Sequence, residues 1–253
     1  MDFDISHLLN QWEYQPGQVV ARRFTAKDGR QRIQLRLDLG LLQMHAEGRP
    51  DGKRPFGHAS LFEYYRARLH KHVAAHDGDD QAFKLKLEDC AKLQFEALQY
   101  HHRYICLLQL EDYAGAIRDA ERNLAVFDFV SKHAETQEMA WSLQQFRPQL
   151  LMVLTRARAS QALQTEDYAM AVQEVEGGVE NIRAFYREHG QAEVAELSGE
   201  VQSLEAWLEQ IRARRPLSPR ERLEHALREA INCEDYERAA QVRDALRNLK
   251  PAE

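Results

Sequence analysis

Two rhythms of apolar residues divide this chain. Between Arg32 and Leu41, Ile33, Leu35, Leu37, Leu39 and Leu41 alternate with Arg32, Gln34, Arg36, Asp38 and Gly40, the two-residue period of a half-buried strand. Asp28-Gly29 just upstream is a strong hairpin signal, and the stretch QVVARRFT at Gln18–Thr25 supplies the partner strand. A two-stranded ribbon is marginal in water, so its leucine face must dock on a helix or on another strand edge. After the polar, Gly- and Pro-rich stretch 47–60, the rhythm becomes helical. Gln81–Leu110 reads as one helix through Phe83, Leu87, Ala91, Leu98, Ile105 and Leu108, about 45 Å long if unbroken. Gln137–Leu163 reads the same way, with Pro148 set to kink or restart it. Ala192–Arg212 follows through Val194, Leu197, Val201, Leu204, Trp207 and Leu208.

Where helical segments meet, the chain repeats itself: EDYAGAI at Glu111–Ile117, EDYAMAV at Glu166–Val172 and EDYERAA at Glu234–Ala240. Aspartate caps helix N-termini, since its carboxylate accepts from free amides of the first turn and suits the positive end of the dipole. Asp112 and Asp167 are therefore expected to cap helices that begin at Tyr113 and Tyr168, with Tyr236 in the same place in the third copy. Ala116, Ala171 and Ala239 fall one turn along the same face, small enough to let the neighbouring helix approach while the tyrosine ring covers the junction. The signature predicts the tight turn of a helical hairpin. Gly177-Gly178, inside the helix after Tyr168, is expected to mark close approach of a neighbouring helix, at a cost of about 1 kcal/mol per glycine.

The first two copies resemble the tetratricopeptide repeat, whose interhelical turn typically reads Gly-Asp-Tyr-x-x-Ala-Ile. The likeness rests on Asp112, Tyr113, Ala116, Ile117 and Leu124, then on Asp167, Tyr168, Ala171 and Gly178. Ala159 falls where the repeat wants a small residue, whereas Tyr104 departs from it in the first copy. Tyr113 and Tyr168 are 55 residues apart, more than the regular period of about 34, so the helices must be longer. The third copy lies in Leu223–Leu249, which looks like the UVR hairpin shared by the excision-repair proteins UvrB and UvrC. Leu223, Leu227, Ala230, Asp235-Tyr236-Glu237, Ala239, Ala240, Arg243-Asp244, Leu246 and Leu249 carry that resemblance. Leu223, Ala226, Leu227, Ala230 and Ile231 make one apolar stripe, and Ala239, Val242, Leu246 and Leu249 another. The resemblance implies an element for protein association. Together with the opening segment it makes the chain similar to bacterial proteins that carry a UVR motif at their far end.

Composition narrows the function. Hydrophobic residues are 44% and charged residues 29% of 253, enough for a core that needs no staples. Cys90, Cys106 and Cys233 are far apart and form no C-x-x-C pair, which indicates neither a disulfide framework nor a thiolate zinc site and fits a reducing cytoplasm. The first residues carry aspartates and no basic or long apolar run, predicting no secretory leader, and no window is apolar enough for a membrane span. Net charge is +2 over residues 1–60, −9 over 61–213 and +1 over 214–253. The acidic middle is a poor surface for a nucleic acid backbone.

Candidate chemistry is sparse. His72 and His76 lie four apart with His70 nearby, and His101-His102 are adjacent, but no third ligand is evident for a metal. Asp77–Asp80 lacks the ligand spacing of a calcium loop. Nucleotide-binding glycine motifs and activated-nucleophile motifs are absent from the sequence. Trp12, Tyr14, Arg22, Arg23, Arg32 and Arg36 form one basic and aromatic combination. Alternation puts Arg32 and Arg36 on one ribbon face, open either to solvent or to a phosphate backbone.

The expectation is a mostly α protein in four parts: an N-terminal helix plus β-ribbon at 1–60, a tetratricopeptide-like helical body at 61–213, a linker at 214–219 and a UVR-type hairpin at 220–253. Pro216 and Pro219 stiffen the linker. The hairpin's stripes could be covered by the helical body, by the same hairpin of a second copy, or by a partner. Function is expected to be non-catalytic protein interaction, as an adaptor, with no cofactor or metal, a protein partner and a homodimer through the hairpin among the options. The alternative is a nucleic-acid-associated role linked to DNA repair or stress response.

Overall fold

The computed structural model describes residues 4–216 and 219–248. It is mostly helical, with a small antiparallel sheet near the N-terminus. The chain divides into two compact units, Met1–Leu208 and Glu209–Glu253. Residues 1–60 share the first unit with residues 61–208.

After α1 (Ser6–Asn10), three strands follow: β1 (Val20–Thr25), β2 (Gln31–Leu37) and β3 (Gly40–His45). They pair in the order β1-β2-β3, with Arg23 opposite Ile33 and Ile33 opposite Met44. The alternating run read as one strand is thus two. It breaks at Asp38 and Leu39, and Leu39 is 91% exposed. The expected leucine face is real in part: Ile33, Leu35, Met44 and Ala46 join the core formed with the helices. The opposite face, expected to be open to solvent or to a phosphate backbone, has Arg32, Gln34 and Arg36 buried.

Helix α2 (Leu61–Ala75) precedes the long hairpin of α3 (Leu87–Gln109) and α4 (Tyr113–His133). Helix α3 starts six residues later than periodicity predicts, because 83–86 is claimed by another partner. Leu85, fully buried, donates its amide to His133 O at 2.8 Å and accepts from the Glu135 amide at 3.1 Å. Leu87, placed on the apolar stripe by sequence, is exposed. Next come α5 (Gln137–Gln144) and α6 (Arg147–Gln164), the restart that Pro148 implied, with the proline in the first turn where its missing amide costs nothing. Helix α7 (Tyr168–Glu188) completes the second hairpin. The segment expected as one helix over Ala192–Arg212 is instead α8 (Ala192–Leu197) and α9 (Gly199–Arg214). Ser198 divides them, its Oγ accepting from the Val201 amide at 3.3 Å.

In the second unit, α10 (Pro219–Asn232) and α11 (Tyr236–Asn248) form a hairpin closed on Ala230 and Ala239, both buried.

Candidate functional site

The three EDY turns share one backbone solution. Glu111, Glu166 and Glu234 all adopt positive φ, at 57°, 58° and 57°, the left-handed conformation that ends helices and usually belongs to glycine. The amides of Asp112, Asp167 and Asp235 reach back to Leu107, Ala162 and Ala230 carbonyls at 2.9, 3.0 and 2.8 Å. Those of the three glutamates reach Leu108, Leu163 and Ile231 at 3.1, 3.1 and 3.0 Å. This pair of hydrogen bonds is a Schellman motif. Each aspartate then caps the next helix, accepting from the Gly115, Met170 and Arg238 amides at 2.9, 2.9 and 3.0 Å. Ala116 and Ala171 are fully buried. The tyrosine rings cover less than expected: Tyr113 and Tyr168 are only half-buried and Tyr236 is 70% exposed. Asp112 is further held by Arg23 of β1, which ties the sheet to the first turn.

Close packing differs between the hairpins. In the second, Ala159 is fully buried and Gly178 lies against Thr155, while Gly177 meets open space. Close helix approach therefore accounts for Gly178 alone. In the first, Tyr104 replaces the small residue and stands buried in the wall of an open groove of about 380 Å³.

That groove lies between α3 and the α5–α6 corner, floored by Asn123 and Phe127 of α4. Gln94, Phe95, Ala97, Leu98, His101 and Tyr104 line it from α3; Leu143, Phe146, Gln149 and Leu150 line the other side. None of these residues is an Asp, Glu, Lys or Arg. Phe95, Leu98 and Phe146 stay 69%, 47% and 46% exposed. Burial holds His101 below the ordinary imidazole value, with His102 contributing, which favours the uncharged ring. His101 Nδ1 sits 2.8 Å from the Tyr104 hydroxyl. An uncharged concavity with exposed aromatic rims suits an apolar segment of a partner. Periodicity alone did not single it out. Phe95 and Phe146 are off the buried stripes, and that mismatch was the available signal.

The hairpin residues named from sequence divide by burial. Ala230 and Ala239 make the seam; Leu223, Leu227, Ala240 and Leu246 are half-buried; Tyr236 and Arg243 are exposed. Arg243 meets Asp244 at 3.0 Å. Leu249 lies outside the described residues.

The arginines of the basic ribbon are engaged within the protein. Arg22 lies 4.2 Å over Trp12 and donates to Gln34 at 2.7 Å. Arg36 donates to the carbonyls of Trp12 at 2.8 Å and Gly40 at 3.1 Å, with Tyr14 beside it. Arg32 pairs with Asp28 at 2.6 Å, and Arg23 with Asp112. The aromatics that suggested a phosphate-binding face cover the arginines instead.

His72 and His76 stack with ring centroids 4.0 Å apart, and His76 Nδ1 bonds the His72 carbonyl at 2.7 Å. Among the described residues no cluster of three His, Cys, Asp or Glu could hold a metal. Burial pushes the Cys90 and Cys106 thiols up to about 11 and about 12, away from nucleophilic thiolate. No helix among the described residues is long and apolar enough to cross a membrane.

Compared with known proteins, the chain matches no family model, no curated protein and no solved structure.

Proposed function

We propose that this protein is a non-catalytic interaction module. Its helical body takes an apolar segment of a protein partner in the groove beside α3, and its C-terminal hairpin, which resembles the UVR element, associates with a second helical hairpin. The observation that carries this reading is the uncharged groove with Phe95, Leu98 and Phe146 left exposed around it. Large apolar rims cost solvation unless a partner covers them. The internal partners of Arg22, Arg23, Arg32 and Arg36 support protein over nucleic acid as the ligand.

Affinity capture in high salt with the full chain tests it. A protein retained by the wild type should be lost by Leu98→Asp/Phe146→Asp, whose substitutions lie on exposed positions and leave the melting temperature unchanged. Leu227→Asp/Leu246→Asp should abolish a hairpin-mediated dimer or partner in light scattering. Retention of every captured protein by both variants would refute the reading.

A further inference from the structure

The loop between β3 and α2 holds an aromatic ring where the backbone disfavours one. Phe56 has φ 49° and ψ 29°, a left-handed conformation that is an outlier for a bulky residue. The residue is 67% exposed, so little burial offsets that strain. One face stacks on Tyr64 at 4.3 Å, and Tyr64 in turn meets His58 at 5.6 Å and the Arg68 guanidinium at 5.9 Å.

The loop is anchored from beneath. Buried Arg103 donates to the carbonyls of His45 at 3.0 Å and Gly48 at 2.7 Å, and Arg49 lies 3.0 Å from buried Glu96. Glu96 also accepts from the Leu61 amide at 2.7 Å, fixing the loop's far end. Both ends of the loop that carries Phe56 are thus held, which lowers the ordering cost of binding.

Charge completes the surface. Residues 49–72 hold six Lys or Arg against two Asp or Glu; of these, Arg49, Arg66 and Arg68 already meet the carboxylates of Glu96, Glu63 and Asp89. Lys53 and Arg54, beside Phe56, are exposed, and among the described residues neither side chain has an ionic or hydrogen-bonding partner.

We propose that the Phe56 loop docks an acidic segment of a partner protein, which sets an apolar side chain against the Phe56 ring and carboxylates against Lys53 and Arg54. A polynucleotide fits worse. The unpaired cations are few, Asp51 accepts from the Lys53 amide, and residues 61–213 carry −9, so the chain offers little further positive charge to an extended phosphate backbone. A short peptide with two or three carboxylates needs no more.

Fluorescence anisotropy on the full chain decides it, using a labelled peptide of about ten residues with glutamates flanking one tryptophan. The peptide should bind with Kd of about 10–100 µM and weaken as salt rises. Lys53→Glu/Arg54→Glu and Phe56→Gly should each weaken it about tenfold. The glycine relieves the backbone strain, so its melting temperature should hold or rise, which separates lost binding from lost folding. Leu98→Asp should leave this binding intact, so the site stands or falls apart from the groove. Absence of saturable binding, equal binding by Phe56→Gly, or tighter binding of an oligothymidylate of equal charge would each overturn the proposal.

Discussion

Gly178 packs against Thr155 so closely that a β-carbon on the glycine would lie 2.7 Å from the threonine Cβ. Its neighbour Gly177 has nothing within 4 Å of the same position. The pair therefore behaves oppositely. Gly177→Ala should stabilise the protein by about 1 kcal/mol through helix propensity. Gly178→Ala should destabilise it by about 1–3 kcal/mol through overpacking. Urea denaturation of both variants measures the contrast, and equal shifts of one sign would contradict the packing described for α6 and α7.

The EDY turns separate backbone from ring. Tyr113→Ala and Tyr168→Ala remove half-buried rings and should cost about 1–2 kcal/mol each, whereas Tyr236→Ala should cost less than about 0.5 kcal/mol. Replacing Glu111 or Glu166 by glycine removes the left-handed penalty and should raise stability by about 0.5–1 kcal/mol. Thermal melts of the five variants check both series. Destabilisation by either glycine would show that the glutamate side chain holds the turn.

Arg103 and Asp119 form a buried pair at 2.6 Å, each side chain 1% exposed. Asp119→Ala strands a guanidinium and should cost about 3–5 kcal/mol. Arg103→Met/Asp119→Leu should recover much of that loss in the same denaturation assay, though the loop carbonyls of His45 and Gly48 then lose their donor.

Acid should weaken the fold well before carboxylates protonate. Burial holds His45, His101, His102 and His133 below the ordinary value of 6.5. The unfolded chain therefore binds protons first, so this contribution to stability is present above 6.5 and falls as pH drops through it. The denaturation midpoint should decline between about pH 7 and 5.5, and His102→Gln should flatten that decline. A midpoint that rises over this window would contradict the burial of these rings.

The helical character, the EDY hairpins and the restart at Pro148 were legible because each rests on local chemistry: period, cap and ring. What escaped was decided at a distance. Sequence alternation cannot reveal that Trp12 and Tyr14 return to cover Arg22 and Arg36, nor that Leu85 prefers the backbone beside His133 to an earlier helix start. The groove escaped for the same reason, since α3 and the α5–α6 corner bring Phe95 and Phe146 to one concavity from positions 51 residues apart.

Glu96 caps a helix that it does not belong to. Its carboxylate, on α3, accepts from the Leu61 and Phe62 amides at the start of α2 while meeting Arg49 and Arg122. Those two amides can then exchange with solvent deuterium only when α2 leaves α3, because no local fraying frees them from a distant acceptor. Their exchange should track the release of the whole 49–62 segment, so a loop rich in glycine and proline would open as one cooperative unit with α2 and not residue by residue.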